Sequence, residues 1–259
     1  MTNSTIAPAE SVVLTVRLAR NSREIEQAMR LRYQVFVEEA GNARLAHPSR
    51  LEHDAYDEDC DHLIARDENS GAVVGTYRLL PGARALDRRG FYSETEFDLS
   101  AFSARRAGVL ELGRSCVAAP FRGTRVIQQL WGGIAAYIAE HGQTHLIGCA
   151  SLPDGQGAKA SEIYSLLKRH GVLTERYGVR PLESHRIHGL RELPVELGER
   201  EMLRRLPPLL KGYRWMGAEI AGPPAYDPLF ATTDFFVVFE AGQMASRYRR
   251  HFASSYQVG

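Results

Sequence analysis

In the stretch LELGRSCVAAPFRG, Leu110 to Gly123, two opposite charges, Glu111 and Arg114, interrupt residues that otherwise read as a buried strand running into a turn. Burying either charge alone costs several kcal/mol, so a partner or a ligand is expected. Residues three apart on a regular strand point to opposite faces, whereas a bulge near Gly113 turns both toward one cleft. The pair then offers a carboxylate base beside a guanidinium anion clamp. The plainer alternative is structural, with Arg114 serving a loop carboxylate. Other charged residues lie where elements could converge. Arg32 stands four residues before Phe36, and Arg78 lies late in GTYRLLP. HDAYDEDCDHL crowds Asp54, Asp57, Glu58, Asp59 and Asp61 ahead of a strand, and a solvated acidic loop is the default for it. No His/Asp spacing suits a metal site, so none is expected. His62 reads as a core histidine. The chain has no nucleophile elbow, phosphate-binding loop or dinucleotide fingerprint.

The elements that must position these residues follow from periodicity. Strands are expected at 11–19, in a hairpin over 62–81, and at 109–117, 144–152 and 232–240. Helices are expected at 21–39 with Ser22 as cap, at 122–142 closing on Gly142, and at 158–171 and 241–252. A short helix and a strand are expected within 206–220; 171–200 resists assignment. This order predicts one mixed α/β domain over 11–259 behind a disordered tail, 1–10. The helix opening after Arg122 offers unpaired amides to an anion.

Composition narrows the class. The 259 residues carry 32 Lys and Arg against 31 Asp and Glu, a net charge of +1, which gives no argument for nucleic acid. Three cysteines, Cys60, Cys116 and Cys149, make no CxxC pair, which fits a reducing, cytoplasmic setting. The polar start MTNSTIAPAE has no apolar signal region, and no run of about 18 apolar residues occurs. Basic clusters at Arg84–Arg89, Arg204–Arg205 and Arg247–His251 are solvated faces, or docking points for an acidic partner or an anionic membrane surface.

The motifs carry a resemblance. FRGTRV, between a strand and a helix, resembles the acyl-CoA-binding turn of GNAT acyltransferases, with Arg122 in its first position and Arg125 and Ile127 in place of its two small residues. Arg32 with Phe36, Asp54 with Asp57, RLLP from Arg78, and Glu111 with Arg114 follow the order seen in acyl-homoserine lactone synthases. LRYQVFVEE, DEDCDHL, VVGTYRLL, FYSETEFDLS, LELGRSCV, LLKGYRWMGA, DPLFATTD and RYRRHF resemble the L-ornithine Nα-acyltransferases over about residues 30–252.

The resemblance implies a GNAT-like α/β fold and an acyltransferase that moves a 3-hydroxyacyl chain from acyl carrier protein to the α-amine of ornithine, giving lyso-ornithine lipid. It implies no resident cofactor; the donor's 4'-phosphopantetheine, or that of an acyl-CoA, would lie between the strands at 109–117 and 144–152. Glu111 would take the amine's proton, directly or through water, with a pKa raised by burial. Backbone amides at Ser115, Cys116 and Val117 would meet the oxyanion. Arg122, Gly123 and Arg125 would meet the phosphate and the carrier's acidic surface. Arg114 or Arg78 would hold the acceptor's carboxylate, Asp54 or Asp57 its side-chain ammonium, and Arg32 and Phe36 complete the substrate set. Phe36, Phe97, Phe102, Trp131 and Trp215 are candidates for an acyl slot or for plain core. The amphipathic product makes peripheral membrane association reasonable. Another acceptor amino acid, or an idle domain that binds carrier protein or lipid, remains an alternative.

Overall fold

The computed structural model describes residues 13–153, 159–194, 196 and 198–252. The expected tail, 1–10, lies outside them. Strand β1 (Leu14–Leu18) is followed by helix α1 (Ser22–Tyr33), β2 (Asp61–Asp67), β3 (Val73–Pro81), α2 (Gly82–Asp87) and β4 (Phe97–Asp98). Then come β5 (Val109–Val117), α3 (Val126–His141), β6 (His145–Pro153), α4 (Ala160–Arg169), β7 (Leu173–Thr174) and β8 (Arg180–Pro181). The chain continues with α5 (Glu199–Arg205), α6 (Pro208–Met216), β9 (Glu219–Ala221), β10 (Ala225–Asp227), β11 (Thr232–Glu240) and α7 (Ala241–Phe252).

Nine strands form one mixed sheet in the order β1-β2-β3-β5-β6-β11-β9-β7, with β10 paired to the start of β11. Pairing is antiparallel except at β5–β6 and β7–β9. The parallel β5–β6 step needs a crossover, which α3 supplies. Strand β3 is buried along its whole length because both faces are covered. On one face Leu63, Tyr77, Leu79, Leu110 and Leu112 pack against Leu130, Trp131 and Ile134 of α3. On the other, Ala28 and Leu31 of α1 pack on Ile64, Val73 and Cys116. Helix α3 ends at Gly142, whose φ of 65° is the left-handed cap expected of it. Helix α1 is capped by Asn21 rather than Ser22, its side chain accepting from the Glu24 N–H. It runs on as a π-helical turn over Gln34–Glu39, which carries Phe36.

Two departures from regular sheet create the site. Strands β5 and β6 pair only from Val109↔His145 to Glu111↔Ile147. Beyond that point β5 stays with β3 as far as Val117, and β6 with β11 as far as Pro153, so a wedge opens between them. Gly148 lies where the strands part; a Cβ there would come within 2.4 Å of the Leu112 carbonyl oxygen, so a side chain would force the wedge apart. The second departure is a bulge. Thr76 faces Cys116 and Arg78 faces Gly113, leaving Arg114 and Ser115 opposite Tyr77 alone. Arg114 takes a φ of 52°, a left-handed conformation of the kind that one class of β-bulge uses.

Candidate active site

A cavity of 890 Å³ fills the wedge. Glu111 and Arg114 both line it, which the bulge makes possible, and they are not paired with each other. The Glu111 carboxylate accepts from the Tyr92 N–H at 2.7 Å, the Ser93 N–H at 2.8 Å and the Ser93 hydroxyl at 2.5 Å. Burial pushes its carboxyl above the ordinary value, against the Ser93 and Tyr92 hydrogen bonds that favour the charged form. A carboxylate so placed, at the cavity wall with its proton affinity raised by burial, is of the type suited to general-base work.

Behind Arg114 lies a closed ring of six alternating charges. Arg32 pairs with Glu52, Glu52 with Arg114 at 3.0 Å, and Arg114 with Asp54 at 2.7 Å. Asp54 pairs with Arg78 at 2.6 Å, Arg78 with Asp57 at 3.4 Å, and Asp57 with Arg32 at 2.6 Å. Three guanidinium groups meet three carboxylates, which is how so much charge is buried without net charge. Burial works against the ionised Asp57, but Arg32 and Arg78 outweigh it and hold the carboxyl far below the usual range. Arg114 is also sandwiched between the rings of Tyr92 and Phe230, 4.5 and 4.6 Å from their centroids. Arg78 and Arg114 line the cavity, while Arg32 and Asp57 are buried behind it. This revises the expected places of Asp54 and Asp57: both answer the protein's own arginines rather than facing an incoming ammonium. Glu52, which closes the ring, had no motif to mark it.

The opposite wall is acidic. Asp227, Asp234 and Cys149 line the cavity, with Glu96 buried behind them. The ligand atoms of Glu96, Cys149 and Asp234 lie within 4.8 Å of one another. Burial, with Asp234 and Asp227 nearby, raises the Glu96 carboxyl well above its ordinary value. Burial and Asp227 push Asp234 up to about 6. The sequence did not single out these carboxylates, which stand in the separate blocks FYSETEFDLS and DPLFATTD.

The remaining expected residues divide. Ser115 lines the cavity, and Val117 packs toward the main core. The Cys116 side chain faces α1 on the far side of the sheet, so only its backbone is placed to serve a ligand. Gly123, with a φ of 77°, and Arg125 are exposed in the turn before α3. Arg122 there donates to the Val117 carbonyl at 3.0 Å and pairs with Glu39 of the π-helical turn. Of the aromatic candidates, Phe36 lines the cavity edge-on to Phe230. Phe97, Phe102 and Trp131 are core, and Trp215 is exposed. Tyr77, Tyr92, Tyr213, Tyr226 and Phe230 are the other aromatic walls. His62 is buried, with Nε2 3.2 Å from the Asp57 carbonyl oxygen.

A mixed sheet splayed beside a parallel pair, with a strand-to-helix turn at its mouth, places the protein in the GNAT class of acyltransferases. The Acetyltransferase (GNAT) domain family matches residues 31–132, from α1 into α3. Among solved structures the chain is similar in fold to BjaI, a CoA-dependent acyl-homoserine lactone synthase, with a TM-score of 0.55, 17% identity, and 94% of this chain and 90% of that one covered. It is likewise similar to FeeM, an N-acyl amino acid synthase from uncultured soil microbes, with a TM-score of 0.51, 11% identity, and coverage of 92% and 96%. Two curated relatives are L-ornithine Nα-acyltransferases. That of Agrobacterium fabrum is 40% identical, covering 91% of this chain and 83% of the relative. That of Rhizobium meliloti is 35% identical, with coverage of 96% and 88%. The chain belongs to the L-ornithine Nα-acyltransferase family. No helix among the described residues is long and apolar enough to cross a membrane.

Proposed function

We propose that the protein transfers a 3-hydroxyacyl chain from acyl carrier protein to the α-amine of L-ornithine, giving lyso-ornithine lipid. The observation that carries this reading is a buried carboxylate, Glu111, at the closed end of the β5–β6 wedge, in one cavity with Arg78 and Arg114. The phosphopantetheine arm enters the wedge with its thioester toward Glu111, and its phosphate stays near the turn of Arg122, Gly123 and Arg125. The acceptor's carboxylate is held from the side of Arg114 and Arg78. An α-ammonium cannot attack, so it first loses a proton to Glu111, directly or through a water. The amine nitrogen then bonds to the thioester carbon. Backbone N–H groups on the unpaired edge of β5, near Ser115 to Val117, stabilise the oxyanion. Collapse breaks the C–S bond, the nitrogen gives up its second proton, and the thiolate leaves as a thiol. Carrier docking at the wedge mouth meets the Arg122–Glu39 pair and exposed Arg125, a surface suited to an acidic partner. The amphipathic product is consistent with a cytoplasmic enzyme working at a membrane surface.

The test offers the purified protein a 3-hydroxyacyl-carrier protein or the matching acyl-CoA, with a panel of free amino acids, and reads products by mass spectrometry. The expected product is 3-hydroxyacyl-ornithine from the carrier-bound donor. Acylation of a different amino acid moves the acceptor; no acylation by folded protein overturns the reading.

A further inference from the structure

We infer that the buried carboxylate group of Glu96, Asp227 and Asp234 is the seat for a cationic side chain of the acceptor, a primary ammonium carried on a short alkyl chain. The inference rests on the proposed amino-acid acceptor and adds what selects it. Glu96 is 2% exposed and Asp234 3%. Both carboxylate oxygens of Glu96, Oδ1 of Asp234 and the hydroxyls of Thr232 and Thr233 have no partner in good hydrogen-bond geometry, although Glu96 and Thr232 stand close enough to Asp234 to shift its titration. The Ser151 hydroxyl donates to Asp234 Oδ2 at 3.1 Å, and the N–H groups of Leu229 and Phe230 donate to Asp227. Three carboxyl groups give this wall more acceptor than donor capacity, its side-chain donors being the hydroxyls of Ser151, Thr232 and Thr233. An ammonium, with three donors and no acceptor, is its complement.

The cations that line the cavity are engaged elsewhere, Arg44 with the Pro228 carbonyl oxygen and Arg78 and Arg114 with the ring. Arg32, Arg78 and Arg114 answer the three carboxylates of the ring across the cavity; Arg114 also reaches Glu96, through its field. A metal ion is the rival occupant, with Cys149 as third ligand. Cys149 is poorly suited to it. Burial beside Glu96 and Asp234 keeps it a thiol, and its sulfur lies 3.6 Å from the Ser93 hydroxyl oxygen, whose proton goes to Glu111. That same contact measures the reach. Glu111 touches Ser93, Ser93 touches Cys149, and Cys149 lies among the acids. An amino acid with its α-amine at Glu111 and its carboxylate toward Arg114 therefore sends a short side chain into the acidic wall.

The test is calorimetric titration of the full-length protein with L-ornithine and with L-norvaline, which is ornithine without its δ-amine. Ornithine is expected to bind about 10- to 100-fold more tightly, the range for hydrogen bonds to charged groups. Asp234→Asn and Glu96→Gln each replace a buried carboxyl by an amide of the same size within a cluster of acids, and circular dichroism checks that the fold is retained. Each is expected to move the ornithine-to-norvaline ratio toward one. An unchanged ratio in both folded variants overturns the inference. So does a wild type that binds the two alike, or one whose acidic wall binds Mn²⁺ or Zn²⁺ and no ornithine. Binding needs no acyl donor, which separates this claim from the reaction. Charge-dependent ornithine binding without acylation supports the seat and refutes the transferase reading. Ornithine acylated with the ratio unchanged in the variants does the reverse.

Discussion

Cutting the six-charge ring at one link tests whether it acts as a unit. Arg32→Met removes the guanidinium that meets Glu52 and Asp57, leaving two arginines against three carboxylates. Arg32 is 1% exposed, so water cannot stand in for it. Breaking a buried pair from one side costs about 3–5 kcal/mol. At about 2–4 °C per kcal/mol for a chain of this size, Tm should fall by roughly 6–20 °C. Asp57→Asn leaves the opposite imbalance and should cost about as much. The double variant restores equal numbers of each charge, so its loss should be smaller than the sum of the single losses by about 1–3 kcal/mol. Urea unfolding followed by circular dichroism gives all three values. The sign with pH follows from Asp57, whose folded pKa lies below its unfolded one. Its contribution is present above about pH 4 and is lost as pH falls through the folded value, so Asp57→Asn should flatten the acid limb of the stability curve. Additivity of the two single losses to within about 0.5 kcal/mol would refute the idea of a coupled ring.

Ser93→Ala removes a hydroxyl donor to Glu111, so the carboxyl pKa should rise and the acid limb of the kcat–pH profile should move to higher pH; an unmoved limb separates Glu111 from the proton transfer. Asp234 carries a raised pKa, so between about pH 4 and 6 it is protonated in the folded state and ionised in the unfolded one. Stability should therefore fall as pH rises across that window, and Asp234→Asn, with Glu96, Asp227, Cys149 and Arg114 left around it, should lessen that fall in thermal melts, the raised Glu96 carboxyl supplying the rest. Gly148→Ala places a methyl against the Leu112 carbonyl and should cost about 1–3 kcal/mol, with a further loss of kcat as the wedge deforms; wild-type melting and turnover would contradict the role given to this glycine.

Local signals and distant pairings differed in how far they could be read. Glu111 and Arg114 can share a cavity only through a bulge, and that constraint, visible in four residues, is met at Arg114 and Ser115. Gly142 marked the end of α3 because a left-handed cap needs no partner elsewhere in the chain. The ring needed partners 20 to 62 residues apart, Arg32 with Glu52 and Arg114 with Glu52, which come together only once β2, β3 and β5 align. An acidic loop such as HDAYDEDCDHL therefore looks solvated until its arginines arrive. Phe97, Phe102 and Trp131 are as apolar as Phe36, and only the fold separates core from cavity wall. The carboxylates of the acidic wall stand in separate blocks, Glu96 far from Asp227 and Asp234, and no spacing rule joins them.

The central claim is that Glu111 takes the proton from the attacking amine. Glu111→Gln keeps the volume and removes the base, and kcat should be measured with saturating ornithine and 3-hydroxyacyl-carrier protein. The expected result is a loss of about 100-fold or more, with ornithine still bound and the circular dichroism spectrum retained. Turnover within about tenfold of the wild type would show that the proton goes elsewhere.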